Sequence, residues 1–234
     1  MSMNKVIHGA VRRDLDRFVG ALSGFPADDM NRAKELATAW ENYDFQLTYH
    51  HEGEHEIAWP ALESVGVSRE LLTTLDGEHD AMAAAMGEAR TAIAVLKRTA
   101  SAEDAATALD AFTNLRAVTV QHLDHEEAEI EPIYLAKAET DEIQEMGKKF
   151  SRDAGPKQAG VFLAWLLDGA SDAARDAARF HSRTGHRDPH GSLRSPVQAR
   201  CGIRLGCLRL CSDACRRRAP CGASPWPVDG SAKP

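Results

Sequence analysis

His50-His51-Glu52-Gly53-Glu54-His55-Glu56-Ile57-Ala58-Trp59-Pro60, or HHEGEHEIAWP, holds three overlapping metal-site patterns. Residues 51–55 read as H-E-x-x-H, the zinc-peptidase helix pattern, and equally as its inverted form H-x-x-E-H. His50 and Glu54 make a third pattern, a histidine and a carboxylate one helical turn apart. The preceding residues choose among them. Trp40, Tyr43 and Leu47 recur at alternating three- and four-residue steps, and the series runs on through His50, Glu54, Ile57 and Ala61. His50 and Glu54 therefore belong to the apolar seam of a helix. His51 and His55 fall on a stripe with Asp44 and Thr48, which is polar and is expected to point away from the core. A peptidase would also need a third ligand and a substrate cleft, and the sequence suggests neither.

A second stretch repeats the chosen arrangement. HLDHEEAEIEP, residues 122–132, again sets a glutamate four residues after a histidine and a proline six residues beyond that glutamate. The i,i+4 spacing puts both side chains on one helix face, about 6 Å of rise apart, within reach of one metal centre. Each proline is expected to end or kink its helix past the site. Two more seams complete the pattern: His8, Val11, Leu15, Phe18, Leu22, and Leu72, Leu75, His79, Met82, Met86, Ala89, Ile93, Leu96. The fourth runs Phe112, Leu115, Thr119, His122, Glu126. No comparable run of period two exists, so the spacing predicts an all-α fold, an antiparallel four-helix bundle. Each seam carries one histidine. Burying imidazoles and carboxylates is unfavourable unless they are paired or metal-bound. One buried histidine is ordinary; four of them, two with a glutamate at i+4, point to a dinuclear metal site.

The rest of the chain divides near residue 180. Beyond it lie nine arginines and one lysine against three aspartates, a net of +7, with all five cysteines and six of the ten prolines. The whole chain is at −7, so residues 1–180 are strongly acidic. The expected domains are a helical bundle over 1–180 and a basic Cys/Pro/Arg-rich tail over 181–234, disordered or out of frame. The cysteine spacings of the tail fit no standard zinc motif. Its charge is a weak argument for nucleic acid, with few aromatics and no known module. No apolar run is long enough for a membrane span, and the N-terminus carries charge where a signal peptide is apolar, so a cytoplasmic protein is expected.

With these residues in place, the sequence resembles the hemerythrin family, specifically bacterial hemerythrin-like (HHE) domains. The resemblance is carried by IHGAVRRDL around His8, HHEGEHEIAWP, GEHDAM around His79 and HLDHEEAEIEP, over roughly residues 4–135, with VFLAWLLDG at 161–169 as a short fifth helix. It implies two non-haem iron ions bridged by carboxylates and an oxo or hydroxo oxygen, with manganese or zinc as alternatives. His8, His50 and Glu54 would serve one iron, His79 and His122 the other, with Glu54 and Glu126 bridging. Two departures stand out. The family's oxygen carriers have a further histidine one turn after the third-helix histidine, where this chain has Ala83. Their late carboxylate stands five residues after the fourth-helix histidine; here Glu126 stands at four and Glu127 at five. His51, beside His50, is a candidate to replace the missing imidazole. Tyr43, two turns earlier on the seam, is a candidate oxygen donor or neighbour of the ligands, and Glu127 flanks the site. Read otherwise, His51, His55, His125 and Glu127 are solvated helix surface.

Imidazole and carboxylate together suit iron or manganese. An open position at Ala83 favours chemistry on peroxide, O2 or NO, with catalase-like peroxide decomposition ahead of reversible O2 carriage. The alternative is a sensor of O2, NO or iron that binds without turnover. The expected partner is a small diatomic or peroxide ligand, with no membrane.

Overall fold

A computed structural model describes residues 1–153 and 156–184, which all belong to one compact unit, Met1–Gly191. Among them every regular element is helical. Four long helices carry the four seams: α1 (Met3–Ser23), α2 (Met30–Gly53), α4 (Arg69–Thr99) and α5 (Ala102–Glu129). Short connections make successive helices antiparallel, so the four-helix expectation holds. Each begins at a side-chain cap. Ser2, Asp29, Ser68 and Ser101 accept hydrogen bonds from the first-turn backbone N–H groups of α1, α2, α4 and α5 respectively. The turn from α4 to α5 closes on Ala100 in the left-handed conformation, φ 51°, and its carbonyl accepts the N–H of Asp28 from the α1–α2 loop. That bond ties the two loops at this end of the bundle.

Pro132 follows a helix end as expected, but the helical run does not end at Pro60. Pro60 lies in α3 (Trp59–Ser64), which continues the direction of α2 after a π-helical turn over Glu54–Ala58. Pro132 lies in α6 (Glu131–Ala136), after the break at Ile130. The short fifth helix is present as α8 (Pro156–Leu167), where Trp165 and Leu166 join the main core against α1. The sequence reading did not include α7 (Asp141–Asp153) or α9 (Asp172–Thr184). α9 crosses the boundary placed at residue 180; the remainder of the tail lies outside the described residues.

The apolar residues form two cores. The larger contains Leu15, Phe18, Trp40, Tyr43, Leu47, Met82, Ile93, Phe112 and Leu123; the smaller contains Ala58, Trp59, Leu62, Leu75, Ile130 and Tyr134. Along α2 the first stops at Leu47 and the second starts at Ala58. Along α4 they meet between Leu75 and Met82, and along α5 between Leu123 and Ile130. The histidines and glutamates of the seams occupy the layer between.

Candidate metal centre

His8, His50, His79, His122, Glu54 and Glu126 are all buried in that layer, one histidine from each long helix. Their inward atoms fall into two overlapping groups, each with donor atoms within 4.8 Å of one another. One comprises His8, His50, Glu54 and Glu126; the other comprises His51, Glu54, His79 and His122. Glu54 reaches both. Its Oε1 lies 3.2 Å from His50 Nε2 and its Oε2 lies 3.4 Å from His79 Nε2. Glu126 also stands between the groups, with Oε2 3.2 Å from His8 Nε2 and 3.6 Å from His122 Nε2.

Among these inward atoms His79 Nε2 and His122 Nε2, 3.1 Å apart, can share a hydrogen bond, but most of the cluster has none. His8 Nε2, His50 Nε2, His51 Nε2, both Glu54 carboxylate oxygens and Glu126 Oε2 are sealed from solvent without a hydrogen-bond partner. Six buried polar atoms left unpaired and aimed at one another would be strongly unfavourable by themselves. Cations held in the two groups would satisfy them. The donor set, five imidazole nitrogens and two carboxylates, is one that transition metals accept.

The surrounding groups fix which ring nitrogen faces the centre. His8 Nδ1 lies 3.1 Å from Glu127 Oε1, and Glu127 is held from outside by Arg12 at 2.5 Å and Lys5 at 3.2 Å. His122 Nδ1 lies 2.9 Å from Glu78 Oε2, whose other oxygen accepts from His125 Nδ1 at 2.7 Å. A carboxylate partner requires the proton on Nδ1, which leaves the Nε2 lone pair pointing inward. Asn4 donates to Glu126 Oε1 at 2.7 Å and frees Oε2 for the centre.

Electrostatics follow burial. Burial, reinforced by the other histidines, holds His50 and His51 well below the ordinary imidazole pKa, and burial lowers His79 to about 4. These rings are neutral and available as ligands. Burial alone would lower His8 too, but Glu126 and Glu127 outweigh it and its pKa is raised. Burial and the nearby Glu126 push Glu54 well above the usual carboxylate range. Burial opposes ionisation of Glu126, yet His8, His122 and Asn4 bring it down to about 2.

The expectation for the polar stripe needs correcting at His51. The residue is half-buried, but its ring stacks on His79, with centroids 4.1 Å apart, and its Nε2 is sealed from solvent. In an α-helix each residue advances about 100°, so Glu54 projects between His50, about 40° to one side, and His51, about 60° to the other. The stripe is polar because it flanks α4: Asp44 on the same stripe pairs with Arg90 of α4 at 2.6 Å. His55, one further turn along, is exposed and bonds Asp76 Oδ2 at 3.1 Å, as its surface reading implied. The open position expected at Ala83 is corrected as well. Ala83 lies exposed on α4, so its small side chain leaves no gap in the centre.

Tyr43 is fully buried in the main core, and its phenolic oxygen has no hydrogen-bond partner; burial, then the charge of Asp14, raises it well above the usual phenol range. It packs against Phe18 and Trp40, with ring centroids 5.9 and 5.5 Å away. Glu127 touches His8 from behind. Sequence reasoning missed Asn4, Asp76, Glu78 and Tyr134, the last raised well above its ordinary pKa by burial, with Glu126 and Glu54 adding to it. Glu78 sits inside the quoted GEHDAM stretch, but nothing in its spacing distinguishes a carboxylate behind His122 from a surface one.

The π-helical turn begins at Glu54 itself, with the Trp59 N–H donating to the Glu54 carbonyl. Such single-turn widenings concentrate at functional sites.

Comparison with known proteins gives one family. The model of the hemerythrin HHE cation binding domain matches residues 5–168, from α1 to just past α8. No curated protein and no solved structure matched the chain.

Proposed function

The chain belongs to the hemerythrin HHE cation-binding domain family, and on that premise we propose that it is a non-haem di-iron protein that decomposes hydrogen peroxide. The observation that carries the reading is the shared carboxylate: Glu54 has one oxygen beside each of two donor groups, six of whose facing atoms have no hydrogen-bond partner. His8 and His50 would hold one iron, and His51, His79 and His122 the other, with Glu54 and Glu126 placed to serve both. Manganese or zinc is accommodated by the same donors.

When bound, the iron pair supplies two-electron redox chemistry and Lewis acidity toward peroxide, O2 or NO. The chain supplies the rest. The two groups are unequal, with two imidazoles in one and three in the other, so a metal on the two-histidine side would have fewer protein donors. Glu127 and Glu78 keep the Nδ1 protons of His8 and His122 outward and their lone pairs inward. The two apolar cores exclude bulk water above and below the layer. This inequality of donors replaces the argument from Ala83. The test is O2 evolution from peroxide by the iron-loaded chain. Many turnovers per chain, lost in a metal-free His122→Ala variant, are expected; unchanged O2 evolution by that variant sinks the proposal.

A second reading has its own observation. The proposed ligands come from all four long helices and lie in the core, so metal binding free energy is also folding free energy. A sensor of O2, NO or iron built this way would react about once per centre and change its stability or assembly. Stoichiometric reaction with peroxide selects this reading over turnover.

A further inference from the structure

Three described tryptophans differ in what surrounds their indoles. Trp40 is buried with its N–H unpartnered. Trp165 donates to Asp14 at 2.7 Å, on the α8 side of α1. Trp59, at the end of the π-helical turn, lies nearly parallel to His79, with centroids 6.0 Å apart and planes 12° off. His79 in turn stacks on His51 with planes 17° off. Three near-parallel rings thus run from the donor group through His79 to the edge of the smaller core. The indole N–H also donates to Asp76 Oδ1 at 2.6 Å. The same oxygen lies 3.8 Å from His79 Nδ1, and the other oxygen of Asp76 bonds the exposed His55. The indole therefore has a ring path inward and a partly exposed carboxylate to receive its proton.

We propose that Trp59 is an electron relay between the metal centre and the protein surface, giving the chain a peroxidase mode in which an external thiol or phenol is consumed with peroxide. The inference rests on the metal reading above. Reduction of one peroxide to two waters takes two electrons and two protons. In each one-electron step the indole gives an electron inward through His79. Its N–H bond breaks, and the proton passes along the existing hydrogen bond to Asp76 and on to solvent. The neutral indole radical is restored by one electron and one proton from the thiol or phenol, which leaves as its own radical. Trp59 acts through His79 and does not touch peroxide, so it is a positioning and relay residue.

The experiment is freeze-quench electron paramagnetic resonance on the iron-loaded full chain mixed with hydrogen peroxide, without reductant. The expected result is an organic radical that is lost in Trp59→Phe and takes a tyrosyl line shape in Trp59→Tyr, at unchanged iron content. Peptide mapping of the wild-type protein after peroxide needs no variant, and is expected to place oxygen adducts at Trp59 ahead of Trp40 and Trp165. An undiminished radical in Trp59→Phe, or first oxidation at Trp40, overturns the relay and leaves the metal reading standing. A chain that takes up no metal overturns both.

Discussion

The same helices build two layers of opposite character. In one, Phe18, Trp40, Tyr43 and Phe112 meet with ring centroids 4.8 to 6.1 Å apart, and α4 adds Met86 and Ile93 to the core. In the other, two or three turns along, the inward positions are imidazoles and carboxylates, six of whose atoms have no partner. Apolar packing stabilises the first layer whatever the solution contains. The second is unfavourable without a cation and favourable with one. A bundle can thus carry a costly polar layer because the adjoining apolar ones hold the helices in register.

This contrast can be broken from either side. The largest effect is expected in the aromatic layer: Phe112→Ala should destabilise by about 3–5 kcal/mol. Chemical denaturation should give nearly the same loss for metal-loaded and metal-free protein, since Phe112 lies outside the donor groups. In the histidine layer the sign itself should depend on metal. Glu54→Gln should weaken metal binding and destabilise the loaded protein, yet leave the metal-free protein at least as stable as wild type, by up to roughly 2 kcal/mol, because a buried carboxylate is gone. Thermal melts with and without chelator check this; destabilisation in both states would mean Glu54 has a protein partner.

Smaller effects sharpen the boundary. At Gly53 an added Cβ would stand 2.6 Å from Phe150 Cε1, so Gly53→Ala should cost about 1–3 kcal/mol or loosen α7 from the π-helical turn. Limited proteolysis within α7 distinguishes the two outcomes. His51→Ala should remove one of the two metal ions, whereas His55→Ala should remove neither, as elemental analysis of the purified variants would reveal. Tyr43→Phe is expected to change stability by no more than about 1 kcal/mol, in the stabilising direction, because the lost hydroxyl has no partner. Unchanged metal content in that variant would place Tyr43 with the aromatic layer; a loss would move it to the other.

The sequence disclosed the four long helices and six buried site residues because helical period and burial are both local signals: a histidine in register with Leu15 or Leu47 must face where they face. His51 was legible only as a neighbour of His50. Its role depends on how α4 lies against α2, which no one-helix pattern encodes, and a polar stripe facing a helix looks the same in sequence as one facing water. Ala83 failed for a related reason: i+4 lies about 40° round the helix from His79, enough to carry the position from the buried edge of α4 to its exposed side. α7 carries the same local signal and was passed over: Ile143, Met146 and Phe150 recur at three- and four-residue steps and pack on the smaller core. Asn4, Asp76 and Glu78 are second partners of buried groups, chosen by tertiary contact and carrying no periodic mark.

The central claim is that Glu54 joins two metal positions in one buried layer. Metal content per folded chain, after reconstitution with ferrous iron and removal of excess, tests it most directly. The account predicts two iron ions per chain in the wild-type protein and failure to retain the pair in Glu54→Ala. One ion per chain, or a wild-type protein that folds without taking up any, would contradict it.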